Sequence, residues 1–339
     1  MLYFISKLYG LGAYLRRKLY DTGIKKQKKL NIPVISVGNL SAGGTGKTPF
    51  TIFLAKKLQE KGYRVCVLSR GYRRKSRGTL LVGDGKNILC SWEEAGDEPF
   101  LIASEGIPVV VSESRYEGGI RAIESIKPDI FILDDGFQHF QLYRDVNILL
   151  IDATKPFWKD SLLPAGLLRE PPEFYRYADL FVVNRFSRLS QEEQKEFLSK
   201  IQSYKKPFFI TEESIQGLTD RESVYPLDIL TGKNTGVFSG LGNNTQFFQF
   251  VENLGKKYGF DVAKKVSFPD HFDYREFRLP EGPLYWITTE KDIIKIPGSI
   301  IKGHNILAVK YSLGLKEEDY RDLEKIIFSE KIKNKAGVD

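Results

Sequence analysis

The sequence predicts an α/β fold: a parallel sheet with helices on its faces, a second and smaller α/β domain after it, and an amphipathic helix in front. Three observations carry this. A short β-branched run, Ile32–Val37, passes through a glycine-rich loop into a helical stretch, Pro49–Lys61, with Phe50, Phe53, Leu54, Ala55 and Leu58 at helical spacing and Gly62 at its close. Further short apolar runs at Arg64–Leu68, Pro108–Val111, Asp129–Leu133, Val146–Ile151 and Asp179–Val183 are separated by helical or glycine-marked stretches, the alternation that builds parallel sheets. Beyond about Arg185 the chain turns more polar, with a helical run at Ser190–Gln202 before strand candidates at Phe208–Thr211, Thr235–Ser239 and Leu284–Thr288 and a charged helix at Glu317–Ile332.

At 339 residues, 42% of them hydrophobic, the chain can bury two modest cores. Its two cysteines, Cys66 and Cys90, form no CxxC pair, which excludes a disulfide framework and suits a reducing cytoplasm. The net charge is +8, and residues 1–30 supply +7 of it through eight basic residues against the single acid Asp21. A protein that tracks nucleic acid spreads basic surface over its folded domain, so this distribution argues for no nucleic acid among the partners.

Residues 1–30 form the first segment. Phe4, Leu8, Leu11 and Leu15, flanked by Ile5 and Leu19, make one apolar helical face. Lys7 interrupts the run and Arg16 ends it, far short of the roughly 20 apolar residues that span a bilayer. The charges follow the apolar stretch rather than precede it, so a cleavable signal peptide fits poorly and the segment is expected to stay. Such a helix could dock on the protein's own core. The basic cluster at 16–29 favours instead an anionic membrane surface, with the helix lying in the interface.

The second segment, 31–185, reads as a P-loop core. Phosphate oxygens need converging backbone amides without intruding side chains, and the loop Ser41, Ala42, Gly43, Gly44, Thr45, Gly46, Lys47, Thr48 provides them. Lys47 reaches the β and γ phosphates of a nucleoside triphosphate, Thr48 offers a hydroxyl to Mg2+, and the following helix directs its positive end at the same anion. Ser41 stands where the usual GxxxxGK[ST] pattern has its first glycine. The strand Asp129–Leu133 ends in Asp134 and Asp135, the carboxylates a P-loop needs near its metal, although two carboxylates before Gly136 also suit a turn cap. Arg70, Arg73, Arg74 and Arg77 follow a strand, where they could clamp an anionic substrate or form a solvated loop. Asp97 could be a helix cap ahead of Pro99, and His271, with only His139 and His304 as fellow histidines, suits a structural role on spacing alone. Residues 186–339 make the smaller carboxy-terminal domain.

Taken together, VGNLSAGGTGKTP (37–49), SRGY (69–72), GDEP (96–99), LDDGFQH (133–139) with Arg144 and Asp145, LPAGLLREP (163–171), FSGLGN (238–243), FPDH (268–271) and TTEKD (288–292) resemble the tetraacyldisaccharide 4'-kinase family, the lipid A 4'-kinases of Gram-negative envelope synthesis. The resemblance spans most of the chain, and Ser41 agrees with the family's form of the loop. It implies ATP and Mg2+ as cofactors and a lipid A disaccharide precursor as acceptor. The γ phosphate would go to the 4'-hydroxyl of a tetraacyldisaccharide 1-phosphate, giving lipid IVA at the cytoplasmic face of the inner membrane. It implies that Asp97 and His271 form a catalytic dyad meeting across a domain cleft, and that Lys47 and Arg169 act in catalysis. Gln138 and His139 are implied to line the nucleotide site, and Asp134, Asp135 and Glu170 the metal. A competing class is a P-loop switch or metallochaperone-like NTPase acting on a protein partner. It would carry a Cys or His metal tract, absent here, or an [NT]KxD motif, which TEKD (289–292) approaches.

Overall fold

The computed structural model describes residues 2–329, which fall into two compact units: unit 1 takes the chain up to Glu213 and again from Leu313, and unit 2 is Ser214–Ser312. In unit 1 the elements run α1 (Leu2–Asp21), β1 (Val34–Gly38), α2 (Lys47–Glu60), β2 (Val65–Ser69), β3 (Leu80–Gly83), α3 (Trp92–Ala95), α4 (Asp97–Ser104), β4 (Val109–Val111), α5 (Arg115–Ser125), β5 (Ile130–Asp134), β6 (Val146–Asp152), β7 (Leu180–Asn184), α6 (Gln191–Ser203) and β8 (Phe208–Ile210).

These strands form one sheet in the order β3-β4-β2-β5-β1-β6-β7-β8, parallel throughout except that β3 opposes β4. The central strands β1, β2 and β5 are buried at every position, as β-branched runs covered on both faces must be. The α2 helix seats Phe50, Leu54, Ala55 and Leu58 on the sheet with no exposure. Strand order turns at β1, which has β5 on one side and β6 on the other. The loops leaving β1 and β5 therefore share the carboxyl edge where open α/β sheets bind ligands.

Unit 2 contains β9 (Glu212–Thr219), β10 (Val224–Tyr225), β11 (Asn234–Ser239), α7 (Asn244–Tyr258), β12 (Asp261–Ser267), β13 (Tyr285–Thr289), α8 (Glu290–Ile293), α9 (Gly298–Gly303) and β14 (Ile306–Gly314). Its sheet order is β10-β9-β14-β13-β11-β12, and α7 packs Phe248, Val251 and Leu254 into a core with Val237, Ile287, Leu307 and Val309. The chain then returns to unit 1 as α10 (Glu317–Ile327), tied there by Lys61–Glu324 and by Phe328 stacked on Tyr63 at 5.0 Å. Of the helix expected at 317–332, residues 330–332 lie outside the described residues.

The division differs from the expected 185/186 boundary. β8 pairs in parallel with β7, and α6 buries Phe197 and Ile201 in the same cluster as Phe181 and Val183, so 186–213 extends the first sheet. The polarity that suggests a new domain there is the solvent face of α6, whose start is fixed by a capping box between Ser190 and Glu193.

Candidate active site

Tight backbone approaches shape the loop after β1. A Cβ at Gly38 would meet the Phe137 amide nitrogen at 2.6 Å, so β1 lies against the turn that follows β5. Ser41 bridges to Leu168, the Ala42 amide donates to Leu167 O at 2.7 Å, and the Arg169 amide donates to Leu40 O at 2.7 Å. Residues 40–42 are thus held as a strip against 167–169. Gly46, at φ +84°, caps α2, and a Cβ there would stand 2.5 Å from Asn184 Nδ2. Asn184 donates to Thr45 O, and Arg185, itself paired with Asp152, donates to Gly44 O at 2.9 Å. A trans peptide aims its two ends in opposite directions, so with Thr45 O turned to Asn184 the Gly46 amide points away from it.

Lys47 sits at the centre of the charged groups. Its Nζ donates to Asn39 Oδ1 at 3.3 Å and lies 3.7 Å from Asp135 Oδ1. Arg169 grips Asp135 with both terminal nitrogens, at 2.9 and 2.8 Å, and also donates to Asn39 Oδ1. Burial opposes the Asp135 charge, but Lys47 and Arg169 outweigh it and hold the carboxyl well below its ordinary range. Asp135 also adopts φ +49°, a left-handed conformation that a non-glycine residue keeps only where its surroundings enforce it. Asn39 completes the loop from behind, its Nδ2 donating to Thr45 Oγ1 at 2.8 Å.

Asp134 ends β5 almost wholly buried, with Thr51 Oγ1 3.4 Å and Ser69 Oγ 3.5 Å from its carboxylate. Thr51 is one turn past Thr48 on α2, so Thr48 is on the helix face turned toward Asp134. Glu170 is held differently. Gln138 Nε2 donates to its Oε2 at 3.1 Å and to Asn39 O at 2.7 Å, and burial pushes its carboxyl up to about 7 against the opposing pull of Gln138 and nearby arginines. Among the described residues no three His, Cys, Asp or Glu side chains gather as a metal cage. His139 is pushed down to about 3 by burial and then by Arg115, Arg144, Arg16 and Arg70, which keeps its imidazole neutral.

The arginine run separates into two kinds. Arg70, Arg73 and Arg77 are exposed, whereas Arg74 braces its own loop, donating to Gly78 O, Ser76 and, at 2.7 Å, Glu113. Arg74 is therefore engaged within its own loop. Asp97 is not a helix cap: Gly96, at φ +89°, holds that position, and Asp97 is the first helical residue of α4 with its side chain buried. Residues sequence reasoning missed are Asn39, Asn184, Arg185 and Arg115. Asn39 stands inside the recognisable loop motif; the other three carry no local signal.

His271 belongs to unit 2. It follows Asp270, whose Oδ2 lies 3.7 Å from its Nε2, adopts φ +61°, and donates its amide to Gly240 O at 3.2 Å. Asp292, the last residue of TEKD, is fully buried, accepting from Tyr274 OH at 3.0 Å, Gly240 N at 3.2 Å and Thr289 Oγ1 at 2.7 Å, with Lys295 3.4 Å away. It anchors the loop that carries His271. A carboxylate so enclosed is not offered to a nucleotide base, which removes the basis for the switch-type motif.

The α1 helix docks through its small residues. Ser6 Oγ donates to Leu162 O at 3.0 Å and accepts from the Ala165 amide at 3.1 Å, while a Cβ at Gly10 would meet Leu162 Cδ1 at 2.6 Å. Tyr9 OH donates to Arg169 O at 3.1 Å. Phe4, Leu8, Leu11 and Leu15 remain exposed, with Leu2, Tyr3 and Ile5 beside them. Among the described residues no helix is long and apolar enough to cross a membrane.

Comparison with known proteins matches residues 1–328 to the LpxK family model, described as tetraacyldisaccharide-1-P 4'-kinase. A tetraacyldisaccharide 4'-kinase of Aquifex aeolicus is 46% identical over 325 residues, covering 95% of this chain and 96% of that protein. One of Halothermothrix orenii is 37% identical over 351 residues, covering 95% and 90%. A crystal structure of Aquifex aeolicus LpxK in complex with ATP superimposes with a TM-score of 0.81 at 43% identity, covering 96% of both chains.

Proposed function

The chain belongs to the tetraacyldisaccharide 4'-kinase family, and we propose that its loop 41–48, the Asp135–Arg169 pair and Asp97 together carry the γ phosphate of ATP to the acceptor's 4'-hydroxyl. As a member it is an ATP-dependent kinase of lipid A biosynthesis, converting tetraacyldisaccharide 1-phosphate to lipid IVA.

The observation that carries the residue assignment is the convergence of Lys47, Asn39, Asp135 and Arg169 beside a loop whose carbonyls are tied from behind. Loop amides and Lys47 hold the β and γ phosphates, and Arg169 fixes Asp135 while presenting positive charge to the transferring group. Gln138 and the neutral His139 serve as nucleotide-binding groups, since an uncharged imidazole hydrogen-bonds without repelling a cation. Thr48 and Asp134 are hard oxygen donors of the kind Mg2+ takes alongside phosphate oxygens, and the ion when bound neutralises charge developing on the β and γ oxygens. Asp97 accepts the proton of the 4'-hydroxyl as its oxygen bonds to the γ phosphorus and the bond to the β-bridging oxygen breaks, releasing ADP. His271 tunes or orients Asp97 during turnover. The exposed Arg70, Arg73 and Arg77 are assigned to the anionic acceptor.

The further reading, a peripheral hold on the anionic cytoplasmic face of the inner membrane, is supported by the exposed apolar face of α1 with basic residues from Arg16 onward. The decisive experiment supplies γ-labelled ATP, Mg2+ and detergent-dispersed tetraacyldisaccharide 1-phosphate and follows label into lipid. Lys47→Ala should reduce transfer by roughly 10³-fold or more. Undiminished transfer by that variant would overturn the loop's role.

A further inference from the structure

We infer that Arg115 is the buried member of an anion subsite, shared with Arg70, that holds a phosphoryl group at the carboxyl edge of the unit 1 sheet. Arg115 is the first residue of α5, three positions beyond Ser112, whose amide donates to Ser69 O at 3.0 Å. That bond sets the turn leaving β4 beside the end of β2, where Arg70 follows, and the next strand over is β5 with Asp134 at its end.

Arg115 is only 6% exposed, and its Nε is buried without a hydrogen-bond partner. Among the described residues its guanidinium makes no hydrogen bond and no ion pair. Arg144 gives the contrast. Equally buried, it donates to Gly136 O at 3.0 Å and Phe137 O at 2.8 Å and so has an evident structural task. Arg74, also close, is taken up by Glu113. Arg115 has no such task. Burial and the neighbouring Arg70 charge weaken its hold on its proton, while Asp135 and Asp134 support it from beyond ion-pair distance. A buried cation that faces a second cation and lacks an anion of its own is a cost in the ligand-free fold, and an incoming anion offsets it. The planar fork of a guanidinium matches the paired oxygens of a phosphoryl group.

The anion subsite rests on this geometry, whereas the origin of its phosphoryl group rests on the kinase reading. Two sources share the chemistry: the γ phosphoryl in transit and the acceptor's own 1-phosphate. Arg115→Met and Arg115→Lys would be assayed with ATP and with acceptors bearing or lacking the 1-phosphate. For a phosphoryl in transit, Arg115→Met should lower kcat about 100-fold or more with KM values little changed, and Arg115→Lys should recover part of it. For the acceptor's phosphate, KM should rise roughly 30-fold for the 1-phosphorylated acceptor and stay level for the other. Both variants should melt at or above the wild-type temperature without ligand, because no protein partner is lost. In Lys47→Ala protein, stabilisation by inorganic phosphate should persist and then vanish on adding Arg115→Met, a readout that stands even if no lipid is labelled. Retained kcat/KM for both acceptors, unchanged phosphate stabilisation, or failure of both variants to fold would overturn the inference.

Discussion

Glu170→Gln tests how the floor of the site is charged. Glu170 is 4% exposed and takes a single hydrogen bond from Gln138, and its burial moves the carboxyl from 4.5 to about 7. The folded protein then holds this proton more tightly than the unfolded chain does. Its stabilising effect is complete below about 4.5, declines as pH rises, and is gone above about 7. The difference between those values corresponds to about 3 kcal/mol. Glutamine keeps the shape and an acceptor for Gln138 but cannot ionise. Urea unfolding of both proteins from pH 4.5 to 8 should show the variant gaining about 3 kcal/mol on the wild type as pH rises, with the difference levelling off past 7. Parallel curves would refute the reasoning and mean that Glu170 is ionised in the fold, the state a metal ligand requires.

Other perturbations address the charged centre and α1. Arg169→Lys replaces a two-point grip on Asp135 by a point charge, so kcat should fall by roughly 10- to 100-fold, and steady-state kinetics showing an unchanged kcat would remove Arg169 from catalysis. Asp97→Asn and His271→Ala should each cost about 10²-fold in kcat/KM, and the double variant should be no worse than the poorer single one; multiplicative losses would mean that the two act separately. Leu8→Glu combined with Leu11→Glu should weaken sedimentation with anionic vesicles by roughly 10²-fold, on the scale of about 1.5–3 kcal/mol per buried leucine. Unaltered sedimentation would detach α1 from the membrane.

Much of unit 1 was legible because its signals are local. The run from Ile35 through Gly46 to Leu58 states strand, loop and helix within a few residues, and the Ile130–Asp134 strand announces its terminal carboxylate. What escaped depends on partners far along the chain. Asn184 meets Thr45 across 139 positions and Arg185 meets Gly44 across 141, and neither stands out in its own neighbourhood. Arg115 follows an ordinary helix cap, Ser114, and only the burial of its guanidinium marks it out. In unit 2, β12 was hidden by its composition: as an edge strand it exposes Asp261, Lys264 and Lys265 to solvent and lacks the apolar run that marks central strands. The excursion of residues 214–312 between two stretches of unit 1 has no compositional signature, since α10 reads as any charged helix until Tyr320, Leu323 and Ile327 are seen buried.

The small face of α1 settles on residues 162–165, just before the strip that pairs with the phosphate loop, and its Tyr9 reaches Arg169 itself. The helix proposed to meet the membrane and the proposed reaction centre are thus neighbours within one unit. An enzyme held this way need not lift its acceptor out of the bilayer: four acyl chains stay in hydrocarbon while the sugar is phosphorylated just above it. The concentration that governs turnover is then the mole fraction of acceptor in the lipid sheet. Diluting the acceptor with inert lipid should slow the reaction even when the amount per millilitre is unchanged.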